Sequence, residues 1–355
     1  MLHRIFCLLM TLLLILTGMC AHAENQSVFS FMPTREYEGV TYEARTGSSL
    51  TTVLLIGYDH VDQGELDVPQ EGFIQGGQSD FLLLLVIDHD AQQIRQLQID
   101  RDTITPIKFY SKTGSYYGTR KFQICLAHAY GDTQELNNRN VIWAVENLLG
   151  IGGVNDGAQI DMYMSMDISG IERLNDLLGG VTVTIEDDFS YFDAAMVPGA
   201  TIKLTAEQAH LFCRGRHHVG DQTNVSRMKR QRVYMDAALD LLRVKVKESP
   251  SFANDLLNGM GLIFDTTKEL DAGFGFTTTD HAGTPVTDTP THYLMVNTSM
   301  DEIVGLLGNA INYEVLPVEG LSGQHSVNAN GYVEYKLDKD AALKWALNAL
   351  YRPIY

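Results

Sequence analysis

Residues 79–88 read Ser-Asp-Phe-Leu-Leu-Leu-Leu-Val-Ile-Asp. From Phe81 to Val86 the run is apolar without a break, so it has no polar face to turn towards water. That is the pattern of a central strand covered on both sides rather than one side. Upstream, Thr51-Thr52-Val53-Leu54-Leu55-Ile56-Gly57 is a second buried-strand pattern, ended by glycine. Downstream, Gln93–Ile99 is a third, joined to the first by the turn-like Asp88-His89-Asp90-Ala91. Between the first two strands lies the long stretch Tyr58 to Gln78, with four glycines. Loops of that length tend to carry function.

Helical and strand patterns alternate along the remainder. Phe122–Tyr130 and Val141–Leu149 read as helices, Asp161–Asp167 as a strand, and Ile168–Leu178 as a helix stopped by Gly179-Gly180. Val181–Ile185 is a strand, and Thr205-Ala206-Glu207-Gln208 is a capping box opening a helix that runs into Arg214. Asn224 is placed to cap a long helix from Val225 to about Lys247. Residues 250–265 look helical, and 266–297 are rich in Thr, Gly and Asp without a clear order. Helix Met300–Asn309, a strand pair Tyr313–Val318 and Gly331–Leu337, and helix Lys339–Leu350 complete the chain. The expected fold is α/β, a mixed central sheet flanked by helices on both faces, with a small C-terminal extension.

The start, MLHRIFCLLMTLLLILTGMCAHA, has a short basic region, an apolar run from Ile5 to Leu16, and Ala21-His22-Ala23. This reads as a signal peptide over residues 1–23, with an uncleaved anchor as the alternative. Residues 24–48 are polar and aperiodic, expected to be a linker. Residues 49–248 then form the main α/β domain, expected to hold the functional site, and 249–355 an α/β extension packed on the same core. Loss of Arg4 with the signal takes the net charge from −18 to −19. So negative a chain is a poor partner for nucleic acid and does not adhere passively to anionic lipid. The expected location is the cell envelope, outside the membrane. Of four cysteines, Cys7 and Cys20 fall in the signal, and whether Cys125 and Cys213 pair stays open.

Against this acidic background, residues 213–232 hold six of the 26 Lys and Arg: Arg214, Arg216, Arg227, Lys229, Arg230 and Arg232. Cations this dense repel unless an anion offsets them, and guanidinium grips phosphate through paired hydrogen bonds. A solvated charged helix face is the competing reading. On a helical projection Val225, Met228, Met235, Leu239 and Leu242 form an apolar stripe, with Arg227 and Gln231 along its edge facing a cleft. Lys229 and Arg230 project away and are expected to be solvated, while Arg232 falls on the stripe itself. A DNA-binding helix-turn-helix is excluded, since its turn holds roughly 3–4 residues and about ten separate these helices. Asp59, Asp80 and Asp102 lie at strand ends, where α/β sheets bind ligands. Each alone is an ordinary turn residue; together with the arginines they describe a Mg²⁺-pyrophosphate site.

The motifs occur in a recognisable order: Leu-Leu-Ile-Gly-Tyr-Asp59, Ser79-Asp80-Phe81, Ile-Asp-Arg101-Asp102-Thr103, Ala127-His128-Ala129-Tyr130-Gly131, Asn175-Asp176-Leu-Leu-Gly179-Gly180-Val181, Arg214-Gly-Arg216 and Arg227-Met-Lys-Arg-Gln231. In this the chain resembles the LytR–CpsA–Psr family of bacterial cell-envelope proteins over about residues 50–243. The resemblance implies an Mg²⁺-dependent transferase. Such an enzyme moves a glycopolymer from a polyprenyl pyrophosphate carrier to a peptidoglycan sugar hydroxyl. It implies Asp80 as metal ligand and Asp59 as metal ligand or base. Arg101, Lys121, Arg214, Arg216, Arg227 and Gln231 would hold the pyrophosphate, with Asp102 orienting Arg101.

Three positions depart from the family pattern. Gln78 stands where Arg is frequent, Gln123 where Lys is frequent (Lys121 and Arg120 lie just before it), and Asn224 where Asp is common. The alternatives are a non-catalytic module binding polyprenyl phosphate or glycopolymer, of the type named transcriptional attenuator, and a lipid pyrophosphatase.

Overall fold

The computed structural model describes residues 34–59, 77–111, 114–131, 133–153, 157–265 and 294–355. The expected signal peptide, most of the Tyr58–Gln78 loop and most of 266–297 therefore lie outside the described residues.

The quoted stretch is β4, Ser79–Asp88, and it sits inside the main sheet. It pairs antiparallel with β3, Leu50–Tyr58, on one side and with β5, Gln93–Gln98, on the other. Next to β3 lie β8, Met162–Asp167, then β12, Leu294–Val296, and β11, Leu262–Phe264. Beyond β5 come the two-residue β13, Glu314–Val315, and β14, Glu319–Gly320. Parallel and antiparallel pairs are both present, so the sheet is mixed.

Side chains alternate across this sheet, as strand geometry requires. Leu54, Ile56, Leu82, Leu84 and Val86 point to one face, where α1, Gln134–Leu149, brings Val141, Ala144 and Val145. On the same face α7, Lys339–Leu350, adds Trp345, Ala346 and Leu350. Val53, Leu55, Leu85 and Ile87 point the other way, towards Ala310 and Leu306 of α6, Met300–Ala310. Both faces are covered, which is why the run from Phe81 to Val86 has no polar alternation.

A second core stands beside the sheet. It joins α2, Gly170–Leu178, the small ribbon β9, Thr182–Thr184, and β10, Thr201–Lys203, and α3, Ala206–Arg214. The long α4, Asn224–Glu248, packs on it through Tyr234 and Ala238, and α5, Phe252–Gly259, closes it with Leu256.

Several sequence expectations change. The supposed linker contains β1, Thr34–Tyr37, and β2, Val40–Ala44, and β2 also pairs with the C-terminal β17, Tyr351–Ile354. The helix expected at Phe122–Tyr130 is instead the end of β7, Tyr116–Gln123, followed by a short 3-10 turn over Ile124–His128. β7 pairs with β6, Ile104–Tyr110. Tyr313–Val318 joins the sheet beside β5, while β16, Val333–Leu337, pairs with β15, Gly323–Val327. Within the extension expected at 249–355, β11, β12, β13 and β14 add strands to the main sheet itself. The cap of α4 is Thr223, whose hydroxyl accepts from Ser226 N, and Asn224 is the helix's first residue. Cys125 and Cys213 are buried free thiols.

Candidate functional site

Because β3 and β5 both run antiparallel to β4, three strand ends meet at one edge. Asp59 leaves β3, Asp80 opens β4, and Asp100-Arg101-Asp102 follows β5. The backbone between the first two is tight: Asp59 N donates to Gln78 O at 3.0 Å. A Cβ on Gly77, at φ +69°, would lie 1.6 Å from the Asp59 carbonyl oxygen. Only glycine fits there.

Asp80 is the centre of the site. Arg101 Nη1 donates to its Oδ1, and Arg227 Nη1 donates to its Oδ2 at 2.7 Å. Arg101 Nη2 also reaches Gln78 Oε1, and Cys125 Sγ at 3.1 Å. Arg227 Nη2 donates to Asn224 Oδ1 at 2.8 Å. Two guanidiniums fixed on one carboxylate keep further N–H donors in a low-dielectric setting, where the oxygens of an anion can take them. Burial and then Arg101 lower Arg227 to about 10, which still leaves it charged at neutral pH. Burial likewise raises the carboxyl of Asp102 and lifts the Cys125 thiol to about 11.

Three buried atoms here make no hydrogen bond: Arg101 Nε, Arg227 Nε and Asp59 Oδ1. Arg101 Nε lies 3.5 Å from Asp102 Oδ1, and Arg214 Nε lies 3.9 Å from Asp59 Oδ1, ion pairs too long to satisfy them. Orphaned polar groups of this kind normally mark a place where something else binds.

The structure therefore brings Asp59, Asp80, Arg101, Asp102, Arg214 and Arg227 together. Arg216 is exposed just beyond α3 and makes no ion pair among the described residues. Gln231 is buried and donates to Cys213 O at 3.4 Å, which ties α4 to α3, while its Oε1 has no partner. Lys121 is exposed on β7 and is not brought to Asp80; Gln123 instead reaches Asp102 Oδ1 at 3.0 Å.

The reading of α4 needs correction at Arg230. Expected to be solvated, it is 4% exposed and holds four partners. Its Nε donates to Phe212 O at 3.0 Å, its Nη2 to Gly215 O, and its Nη1 to Asp187 and, at 2.8 Å, to Ser226 Oγ. It fastens the end of α3, and with it Arg214, to α4. The helix buries Asn224, Arg227, Gln231, Tyr234 and Ala238, whereas Val225 of the expected apolar stripe is 51% exposed. Lys229 is exposed and pairs with Glu186, as a surface residue would. Arg232 lines a separate cavity between the end of β5 and β15–β16.

Sequence reasoning gave no site role to Asn224, Asp100 or His325. Asn224 Nδ2 donates to Asp100 Oδ1 at 3.1 Å, and His325 Nε2 lies 2.9 Å from Asp100 Oδ2. Asp100 stood inside a quoted motif; nothing local in the sequence marks His325, 225 positions away.

This is an α/β/α protein with a guanidinium-clamped carboxylate at its strand ends. The chain belongs to the LytR_cpsA_psr family, whose model matches residues 22–260. It is 30% identical over 200 residues to the polyisoprenyl-teichoic acid–peptidoglycan teichoic acid transferase TagU of Halalkalibacterium halodurans, covering 55% of this chain and 57% of that protein. It is 26% identical over 204 residues to biofilm regulatory protein A of Streptococcus mutans, covering 55% of this chain and 46% of that one. The chain thus spans about half the length of these curated relatives. Among solved structures, protein gbs0355 of Streptococcus agalactiae superposes with a TM-score of 0.60 at 19% identity, over 87% of this chain and 93% of that one. A structure of TagT bound to LI-WTA gives 0.55 at 18% identity, over 86% and 92%. At these identities the structures establish the shared fold.

Proposed function

We propose that the protein transfers a glycopolymer from a polyprenyl pyrophosphate carrier to a sugar hydroxyl of peptidoglycan, at the cell envelope. The observation that carries this reading is the set of orphaned atoms around Asp80. Arg101 Nε and Arg227 Nε are donors waiting for phosphate oxygens, and Asp59 Oδ1 is an acceptor waiting for a cation or a proton. TagU, a relative in the same family, is named as a teichoic acid transferase to peptidoglycan.

Arg101 and Arg227, fixed by Asp80, bind the pyrophosphate without reorganising as charge develops on it. Arg214 and Arg216 supply further positive charge from the exposed rim. Asp59 takes the proton of the acceptor hydroxyl. The hydroxyl oxygen forms a bond to the phosphorus next to the glycopolymer, and the bond from that phosphorus to the bridging oxygen breaks. Polyprenyl phosphate leaves with the electron pair. Asp102 and Gln123 hold the loop that carries Arg101.

Asp59 and Asp80 offer hard carboxylate oxygens suited to Mg²⁺, and the orphaned Asp59 Oδ1 fits an ion there. Asp80 would contribute only lone pairs left free by the two arginines. Bound there, Mg²⁺ would neutralise charge on the phosphoryl oxygens. No helix among the described residues is long and apolar enough to cross a membrane.

The test incubates purified protein with carrier-linked glycopolymer, Mg²⁺ and a peptidoglycan oligomer. Ligated product is expected. Carrier phosphate released without an acceptor, or tight binding without turnover, would overturn the transfer reading.

A further inference from the structure

Charge is not balanced behind the anion site. Asp80, Asp100 and Asp102 are all buried, and Arg101 and Arg227 each give one Nη1 donor to Asp80. Arg232 lines the cavity beside Asp100 but makes no ion pair among the described residues. Arg101 Nε approaches Asp102 only to 3.5 Å, without a hydrogen bond. Two adjacent buried carboxylates with so little counter-charge are costly unless a cation joins them.

The same two carboxylates converge with an imidazole. One ligand atom each from Asp100, Asp102 and His325 lie within 4.8 Å of one another. His325 Nε2 is 2.9 Å from Asp100 Oδ2. Ligands bound to one ion at roughly 2 Å sit on the order of 3 Å apart, the spacing that Asp100 Oδ2 and His325 Nε2 already have. The outer partners are already in place. Asp100 Oδ1 accepts from Asn224 Nδ2 at 3.1 Å and from Asp102 N at 2.9 Å, and Asp102 Oδ1 accepts from Gln123 at 3.0 Å. Each carboxylate is thus oriented through one oxygen, the arrangement that holds metal ligands in position.

A separate observation points to a ligand at the same place. Asp100 and His325 line a cavity of about 160 Å³, and so does Gln98. Gln98 is 3% exposed, and its Oε1 is buried with no hydrogen-bond partner. That volume admits an ion with water, and a water on the ion would satisfy the amide oxygen.

We infer that Asp100, Asp102 and His325 form a second divalent-cation site, distinct from Asp59 and Asp80, that clamps the β15–β16 ribbon to the strand-end loop. An imidazole with two carboxylates selects a first-row ion of the zinc or manganese kind over Mg²⁺. The clamp acts on Arg101, which lies between two of the ligands in sequence, so the ion positions the guanidinium that holds Asp80. β16 already touches this loop, since Tyr335 N donates to Asp102 O at 2.8 Å. The site stands whether or not the chain is a transferase.

Equilibrium dialysis of the full chain against Zn²⁺ alone, with Co²⁺ absorption as a second readout, tests it. One tight site per chain is expected beyond any weaker binding at Asp59 and Asp80, weakened at least about tenfold in His325→Ala and kept in Asp80→Asn. The Co²⁺ bands should be lost in His325→Ala. Should that variant fail to fold by circular dichroism, His325→Gln serves in its place. Equal Zn²⁺ affinity and equal Co²⁺ bands in wild type and the folded His325 variant would overturn the site, leaving a plain His–Asp hydrogen bond.

Discussion

Arg227 donates to Asp80 Oδ2 across 2.7 Å, from the first turn of α4 to the opening residues of β4, with neither side chain more than 8% exposed. The two residues are 147 positions apart in sequence. This contact joins the central sheet to the neighbouring helical core, and it is at once structural and part of the proposed site. Asp80→Asn should therefore act twice. Removing one member of a buried ion pair costs about 3–5 kcal/mol of stability, to be read by urea denaturation. Activity and its Mg²⁺ dependence should fall together. A variant with unchanged stability and a normal Mg²⁺ titration would show that Asp80 does neither job.

Arg216→Ala should behave differently, since that side chain is exposed and makes no ion pair among the described residues. Stability should stay within about 0.5 kcal/mol, while turnover drops by about 100-fold or more, the size of one lost charge partner in a transition state. Unfolding curves and initial rates measured on the same preparation check both halves.

Arg230→Ala should lower stability by about 3 kcal/mol, because it leaves the Phe212 and Gly215 carbonyls and Asp187 without their shared donor. Arg230→Lys should rescue little of it, since an ammonium cannot span the same fork. Denaturant midpoints of the three proteins decide the matter.

Asn224→Asp, which replaces a buried amide by a carboxylate, should destabilise this chain. The amide donates to Asp100 Oδ1 at 3.1 Å, and a carboxylate there would face a carboxylate. A loss of about 1–3 kcal/mol is expected at pH 7.5. Denaturant midpoints of the two proteins measure the difference.

The Cys125 thiol, raised by burial to about 11 from an ordinary value of 9.0, gives an alkaline signature. The folded state holds this proton more tightly than the unfolded state. The stabilisation is present below about pH 9 and is lost as pH rises towards 11. Thiol-reactive dye should label Cys125 slowly in the native protein and rapidly in urea; fast native labelling would refute the burial.

Much of the fold could be read because its central strand carries an unbroken apolar run. The strand-end placement of Asp59 and Asp80 followed from where such runs stop. Other features were hidden for identifiable reasons. A helical projection assumes that apolar residues mark the buried face, yet α4 buries Arg227, Arg230 and Gln231 because carbonyls and carboxylates receive them. Arg230 was misplaced for that reason. Gln78 looked like a lost cation, but it accepts from Arg101. Phe122 reads as helical beside Ala127 and Ala129, yet pairing with β6 draws it into a strand. His325 and the β13–β14 pairings depend on contacts between distant parts of the chain, which no local pattern encodes.

The pairing of β2 with β17 sets an order of events for folding. Glu43 and Arg352 meet across this ribbon although they are 309 positions apart in sequence. During synthesis from the N-terminal end, β1 and β2 emerge long before β17 and must wait for it with an open edge. An unpaired edge of this kind is a template for the wrong partner. The edge stays open until β17 pairs with it, and a chain arrested before residue 351 would present that edge to its neighbours.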